Sequence, residues 1–541
     1  MHFSAIIRPS TKGTRQDRLK VFLWNGFLLT VVSLFMRFVG MTFQLFVTDH
    51  AGSEAIGLYS VIGSVYGFAV TLATSGIQLG TTRMISEALG RDDPAEIREA
   101  RRVCLSYAGA FGLLATLLLF FGAEPIGLLI LKDERTVLSL RILSASLLPV
   151  TLSSVMNGYF TAVRRIYKNA ATGVLEQGLR IGITSTLLLY VLPKGIETAC
   201  LALVLGSVIS EVLSAVILGC LFVYEQKNYR KGHSAVSPHE LRKRLRGIAL
   251  PVALSTYVRS GLLTVEHILI PIGLTAFFGD RSTALSTFGI LQGVAFPIIL
   301  FPSAILSSYA GLLIPEIAEC RVREQKEKVQ RIVMGIFRGA LLFSVGVSGI
   351  MLCFSYEIGS MLEKGAEAAR YLRLLAPLIP VMYLDTAADS ILKGHGEQVY
   401  CMQVNIMDSL LSVLLVWLIL PHLGMDGYIL VIYVAELLNT SLSISRLLSV
   451  TELKPSLLKV LFTPLFSIIG ATAVIRMLAS LAVHFSAPLS DGMPALVLHI
   501  LLSLFLYVVF LFLFGSVKKA EVRNLLRRLQ RKKKPISFSA P

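Results

Sequence analysis

The feature that most constrains this chain is an apolar stretch of about 20 residues or more that recurs about every 39 residues, from Val21–Val47 to Pro494–Phe514. About 20 apolar residues in a helix cross the roughly 30 Å hydrocarbon core of a bilayer. The backbone has no water to bond there, so each stretch is expected as a helix. Hydrophobic residues make up 54% of the 541 and charged residues 16%, well below the ~25% charged content of soluble domains. That excludes both a chain of soluble domains and a disordered one. Six scattered Cys form no CxxC pair, which excludes a disulfide scaffold.

Fourteen spans are expected, among them Ile56–Leu89, Ala284–Glu316, Tyr371–Leu392, Val399–Leu420, Gly427–Leu447 and Leu457–His484. The basic tail Arg8, Lys12, Arg15, Arg18 and Lys20 leads directly into the first of them. That run is too long for a signal-peptide core, so it is expected to stay in place. Loops and tails on the N-terminal side hold 37 Lys and Arg, and the opposite loops hold 6. Under the positive-inside rule both termini are cytoplasmic, and the net charge of +17 is a topology signal rather than a nucleic-acid footprint. The basic tail Leu525–Pro535 lacks interleaved aromatics and reads as contact with anionic lipid.

The chain contains a duplication. "LRILSASLLPV" at Leu140–Val150 matches "LRLLAPLIPV" at Leu372–Val381, and "SEVLSA" at Ser210–Ala215 matches "AELLNT" at Ala435–Thr440. These matches align Pro149 with Pro380 and Glu211 with Glu436. An even number of helices per repeat makes the repeats parallel, with a site expected between them near mid-membrane. The expected organisation is a tail at 1–20, an N-lobe of six helices at 21–226, a linker at 227–247, a C-lobe of six helices at 248–450, two further helices at 457–514, and a tail at 515–541.

Three strings carry a family resemblance: "TSGIQLGTTRMISEALGRDD" (Thr74–Asp93), "MNGYFTAVRRIYKNAATGVLEQGLRIGI" (Met156–Ile183) and "ILKGHGEQ" (Ile391–Gln398). They resemble the stage V sporulation protein B group. That group sits in the polysaccharide transporter branch of the multidrug/oligosaccharidyl-lipid/polysaccharide exporter superfamily. The resemblance implies an all-α, V-shaped pair of six-helix lobes plus two helices, moving a lipid-linked saccharide across the bacterial cytoplasmic membrane. The related lipid II flippases carry two arginines six residues apart in their first helix. Here "SLFMRFVGMTF" keeps Arg37 and Gly40, and Phe43 stands at the second arginine position.

With Arg446 and Lys459 at span ends counted among the loop cations, eight cations are left inside the spans, all of them Arg: 37, 83, 141, 180, 259, 338, 373 and 476. An ion at a helix centre costs at least about 2.5–3.5 kcal/mol, so it faces a bundle interior or a wet cavity by default. Arg37 lies roughly 24 Å along its helix at 1.5 Å per residue. A guanidinium at that depth can hold a phosphate bidentately, or can bond backbone carbonyls as a structural group. Arg37, Arg259, Arg180 and Arg476 are the candidate substrate-binding residues.

Glu266, His267, Asp385 and Glu176 are candidates for Na⁺ or proton coupling. Glu176 stands four residues before Arg180 and can simply neutralise it. Arg83 and Glu87 are candidate gate residues, or a surface pair, and Pro149 and Pro380 are candidate flexing points. No phosphate-loop motif and no metal-ligand spacing occur, so no ATPase, cofactor or metal is expected.

The function expected is a monomeric flippase for a lipid-linked saccharide, with membrane lipids as its surroundings. A cation-coupled multidrug exporter and a membrane-embedded transferase are the alternatives. The intramembrane Arg set argues against cationic drugs, and the short basic loops argue against a catalytic domain.

Overall fold

A computed structural model of the chain describes residues 15–91, 93–191, 195–226, 236–307, 325–360, 365–453, 465–474 and 493–513, with single positions at 317, 320, 321, 323 and 477; between 15 and 33 it describes the backbone and the side chain of 32. The described residues are helical throughout, without a strand. Ten helices among them are long and apolar enough to cross a membrane. The expected spans Ala284–Glu316 and Leu457–His484, and both tails, lie partly or wholly outside the described residues.

Contacts gather the chain into two units. The first is Met1–Ala304 with Met402–Ala435, and the second is Ile305–Cys401 with Glu436–Pro541. Two helices after the linker pack closely against the first half.

The first unit contains α1 (Arg15–Ala51), α2 (Ser53–Thr74), α3 (Ile77–Gly90), α4 (Pro94–Pro125), α5 (Arg135–Ala162), α6 (Ile166–Val191), α7 (Ile196–Gln226), α8 (Pro238–Phe278) and α9 (Arg281–Leu300). Helix starts follow from capping. Asp93 accepts from the amides of Ala95 and Glu96 with Pro94 in the first turn, and Asp280 accepts from Ser282 and Thr283. Such caps satisfy amides that have no partner within the helix. Gly279, in the left-handed region at φ 73°, closes α8.

Ile56–Leu89 is not one helix but α2 and α3, broken at Ser75–Gly76. Gly76 has φ +75°, and a Cβ there would lie 2.7 Å from Ala249 Cα on α8. Conformation and space both demand glycine at this point. Below the break, Tyr159, Phe160 and Phe222 pack with Ile85, Cys104 and Leu245 in a buried core. The Tyr159 and Phe222 rings meet edge to face at 5.0 Å between centroids, a favoured aromatic geometry.

The second unit contains α10 (Lys326–Gly359), α11 (Gly365–His395), α13 (Leu465–Val474) and α14 (Met493–Leu513). Helix α12, Gln398–Thr451, turns at Gly424 (φ 56°, ψ −136°). Its two arms account for the expected spans Val399–Leu420 and Gly427–Leu447. Within the second unit, Arg446 pairs with Glu397 at 2.8 Å and Tyr400 donates to the Leu442 carbonyl at 3.3 Å.

The repeat-matched prolines differ in setting. Pro149 lies inside the unbroken α5. Pro380 follows a 3₁₀ turn at Ala376–Leu378. Proline has no amide for the carbonyl four residues back, and Ser348 Oγ donates to that Ala376 carbonyl at 2.7 Å instead.

Candidate functional site

The first unit brings two residues selected from the sequence, Arg259 and Glu266 of α8, into electrostatic range of Asp408 on the first arm of α12. Arg259 on α8 is exposed and lies in electrostatic range of Asp408. Glu266, seven residues further along, also senses Asp408, and Tyr428 senses Glu266. The seven-residue spacing places Arg259 and Glu266 on one helix face. The arms fit closely here: a Cβ on Gly273 would lie 2.8 Å from Leu420 Cβ. His267 turns instead to the edge of Phe288, 6.1 Å between centroids.

Arg37 on α1 is exposed and makes no hydrogen bond or ion pair among the described residues. Its neighbour Phe38 packs on Phe301 with ring centroids 5.8 Å apart. A cation inside an apolar span without a protein partner is available for an anionic ligand. Arg476 lies outside the described residues.

A second polar group lies inside the helices of the first half. Arg180 on α6 pairs with Glu176 at 3.1 Å and with Glu211 of α7 at 3.4 Å. Tyr66 of α2 donates to Glu211 at 2.5 Å and shares a 2.6 Å hydrogen bond with Ser146 of α5. Arg180 Nε is buried with no hydrogen-bond partner among the described residues. Beside it is a cavity of about 130 Å³ lined in part by Gln44, Tyr59, Gln177 and Ser207. The expected Glu176–Arg180 pair is therefore part of a four-helix network. The repeat match singled out Glu211, but no sequence signal marked Tyr66.

Sequence reasoning missed a third group, at the end of the unit where α2 and α9 begin. Arg135 pairs with Asp133 at 2.8 Å and with Glu54 of α2 at 3.2 Å. Arg281 of α9 donates to Asp133 at 3.2 Å and to the Leu131 carbonyl at 2.7 Å. Ser282 donates to Glu54, and Ser53 and Ser286 share a 2.7 Å hydrogen bond. Burial alone would raise the Asp133 pKa. The hydrogen bonds and charge of Arg135, then of Arg281, outweigh burial and hold the carboxyl below its ordinary range. Small residues permit the approach: a Cβ on Gly57 would lie 2.8 Å from the Leu285 carbonyl carbon, and one on Gly289 2.8 Å from the Gly57 nitrogen.

At the opposite end Arg83 and Glu87 form an i,i+4 ion pair at 2.9 Å with exposed side chains. Arg91 bridges Glu87 at 3.8 Å and the buried Glu96 at 2.5 Å, and Arg244 of α8 approaches Glu96 at 3.9 Å. Between the two ends α8 follows α2. Tyr257 donates to the Leu72 carbonyl at 3.0 Å, Ser260 to Thr71 at 3.1 Å and Thr264 to the Ser64 carbonyl at 3.1 Å. In the second unit, Asn439 reaches Asp385 at 3.5 Å, and Lys393 pairs with Asp389 at 3.1 Å.

Comparison with known proteins agrees with this architecture. The family described as "Polysaccharide biosynthesis protein" matches residues 22–320, and the MatE family matches 268–418. The chain is 24% identical to stage V sporulation protein B of Bacillus subtilis (strain 168) over 94% of this chain and 98% of the relative. It is 21% identical to the lipid II flippase MurJ of the same organism, over 78% and 82% of the two chains. A solved structure titled "Lipid II flippase MurJ, inward closed conformation" has the same fold, with a TM-score of 0.68 and 13% identity, covering 90% of this chain and 98% of the other.

Proposed function

The chain belongs to the polysaccharide biosynthesis protein family of multi-pass membrane proteins, and from that premise we propose that it flips a lipid-linked saccharide across the bacterial cytoplasmic membrane. The observation that carries this reading is Arg37, a guanidinium deep in an apolar span with no partner among the described residues. A phosphate or diphosphate linking lipid to sugar is the ligand chemistry such a group suits. Arg259 is its companion on α8. Glu266 and Asp408 supply carboxylates that a coupling Na⁺ or proton would neutralise.

The similarity to flippases supports the substrate class. The 37-to-6 cation bias supports cytoplasmic termini, so the Asp133 clamp closes the outer face. The protein works in this reading as a monomer, without a cofactor, and membrane lipids surround it. Opening the clamp while the opposite end closes would expose the bound saccharide outward.

The MatE match over 268–418 and the approach of Glu266, just before it, to Asp408 within it favour one second reading, a cation-coupled drug exporter. Purified protein in liposomes separates the two. A fluorescent polyprenyl-pyrophosphate saccharide should lose its headgroup accessibility on one face faster with protein than without, and a cationic dye should not be moved. Dye movement with a stationary saccharide would reverse the assignment.

A further inference from the structure

The ends of α3, α5 and α7 enclose an open cavity of about 720 Å³ at the end of the first unit that carries Arg83 and Glu87. Ser86, Tyr159, Val163, Arg164, Arg165 and Glu225 line it. We propose that this cavity binds a phosphate ester at the cytoplasmic surface, as a site separate from the residues of the transport reading.

The charge balance gives the reason. The Glu225 carboxylate is 7% exposed, pairs with Arg165, and accepts from Lys168 at 2.7 Å. One buried anion thus stands against three cations, and Arg164 makes no side-chain hydrogen bond or ion pair among the described residues. Arg164 also holds φ +59°, a left-handed conformation that glycine adopts without strain and arginine does not. Main-chain bonds fix it there, from its own amide to Thr161 and from Arg165 to Phe160, at 3.1 and 2.8 Å. These are the bonds of a helix C-terminal cap, and they hold Arg164 at the rim of the cavity where α5 ends.

An uncompensated guanidinium with a second arginine beside it matches the geometry of a phosphate. The volume falls in the roughly 300–1,000 Å³ range of small-molecule sites. Val163 and its neighbour Leu89 give the cavity an apolar wall that would accept the first carbons of a glycerol backbone. The same chemistry occurs in an anionic phospholipid headgroup and in a soluble glycerol phosphate, and the test separates them.

The full chain in detergent micelles is titrated with phosphatidylglycerol, with a phosphate-free glycolipid and with glycerol phosphate, and the unfolding midpoint is followed. Arg164→Gly suits the left-handed backbone and removes only the ligand-facing charge. Arg102→Ala removes a surface cation of the same end that lies outside the cavity. A phosphate-bearing compound should raise the midpoint. Its apparent affinity should fall about tenfold in Arg164→Gly, as expected for loss of one charged hydrogen-bonding group, and should hold in Arg102→Ala. A response to phosphatidylglycerol alone identifies the lipid, and a response to glycerol phosphate as well identifies the free ester. No response to either phosphate, an unchanged affinity in Arg164→Gly, or an equal loss in Arg102→Ala would overturn the site.

Discussion

Arg281 of α9 donates through Nε to the Oδ2 of Asp133 at 3.2 Å, across 148 positions of sequence. The same carboxylate holds Arg135, which in turn holds Glu54 at the start of α2. One buried aspartate therefore fastens the beginnings of α2, α5 and α9 together. Replacing it leaves Arg281 without its anion and Arg135 with Glu54 alone. Asp133→Asn is expected to destabilise the protein by about 1–3 kcal/mol, read as a lowered unfolding midpoint. Arg281→Ala should lose less, because Arg135 stays paired.

The pH response of the clamp follows from the depressed Asp133 pKa. A carboxyl whose folded pKa lies below its unfolded value of about 3.9 contributes stability that is present above that value. The contribution disappears as pH falls through the folded pKa. The midpoint difference between wild type and Asp133→Asn should therefore be flat from about pH 8 to 5 and shrink below about pH 4. A difference that is largest in acid would show that the carboxylate is not the stabilising form.

Gly57 and Gly289 let α2 and α9 touch backbone to backbone. Gly289→Ala should force the helices apart at this end, with an overpacking cost of about 1–3 kcal/mol. A cysteine placed at Ser286 should then react faster with a membrane-impermeant maleimide added from outside. Gly63→Ala is the control on the same helix, since a Cβ there meets nothing within 4 Å.

Tyr66 joins Glu211 to Ser146 through a single hydroxyl. Tyr66→Phe keeps the ring and leaves the carboxylate without that donor, which should cost about 1–3 kcal/mol. Glu211→Gln on its own should destabilise too, because Arg180 loses one of its two anions. Combined with Tyr66→Phe it should add less than the sum of the two, and that shortfall in a double-mutant cycle is the signature of a network.

The sequence makes the spans legible where apolar length decides, as in α7, α8 and both arms of α12. It also exposes the intramembrane arginines, because a cation in such a run has few neighbours to hide among. The α2–α3 break was hidden, since Gly76 lies in a run apolar enough to read as one helix and its need for glycine comes from Ala249 on a distant helix. Asp133, Arg135 and Arg281 look like ordinary loop charges until the fold brings them together. Nothing local in the sequence ties Asp408 to α8, whereas packing of the first arm of α12 along α8 brings it into electrostatic range of Arg259 and Glu266. In each case the missing information is long-range contact rather than local propensity.

Headgroup translocation in proteoliposomes, comparing wild type with Arg37→Ala and Arg259→Ala, tests the central claim most directly. Each arginine is expected to supply a charged hydrogen bond to the phosphate, so each variant should translocate at about one-tenth of the wild-type rate or less, while Arg37→Lys retains part of it. Full translocation by both alanine variants, with normal folding, would contradict the account.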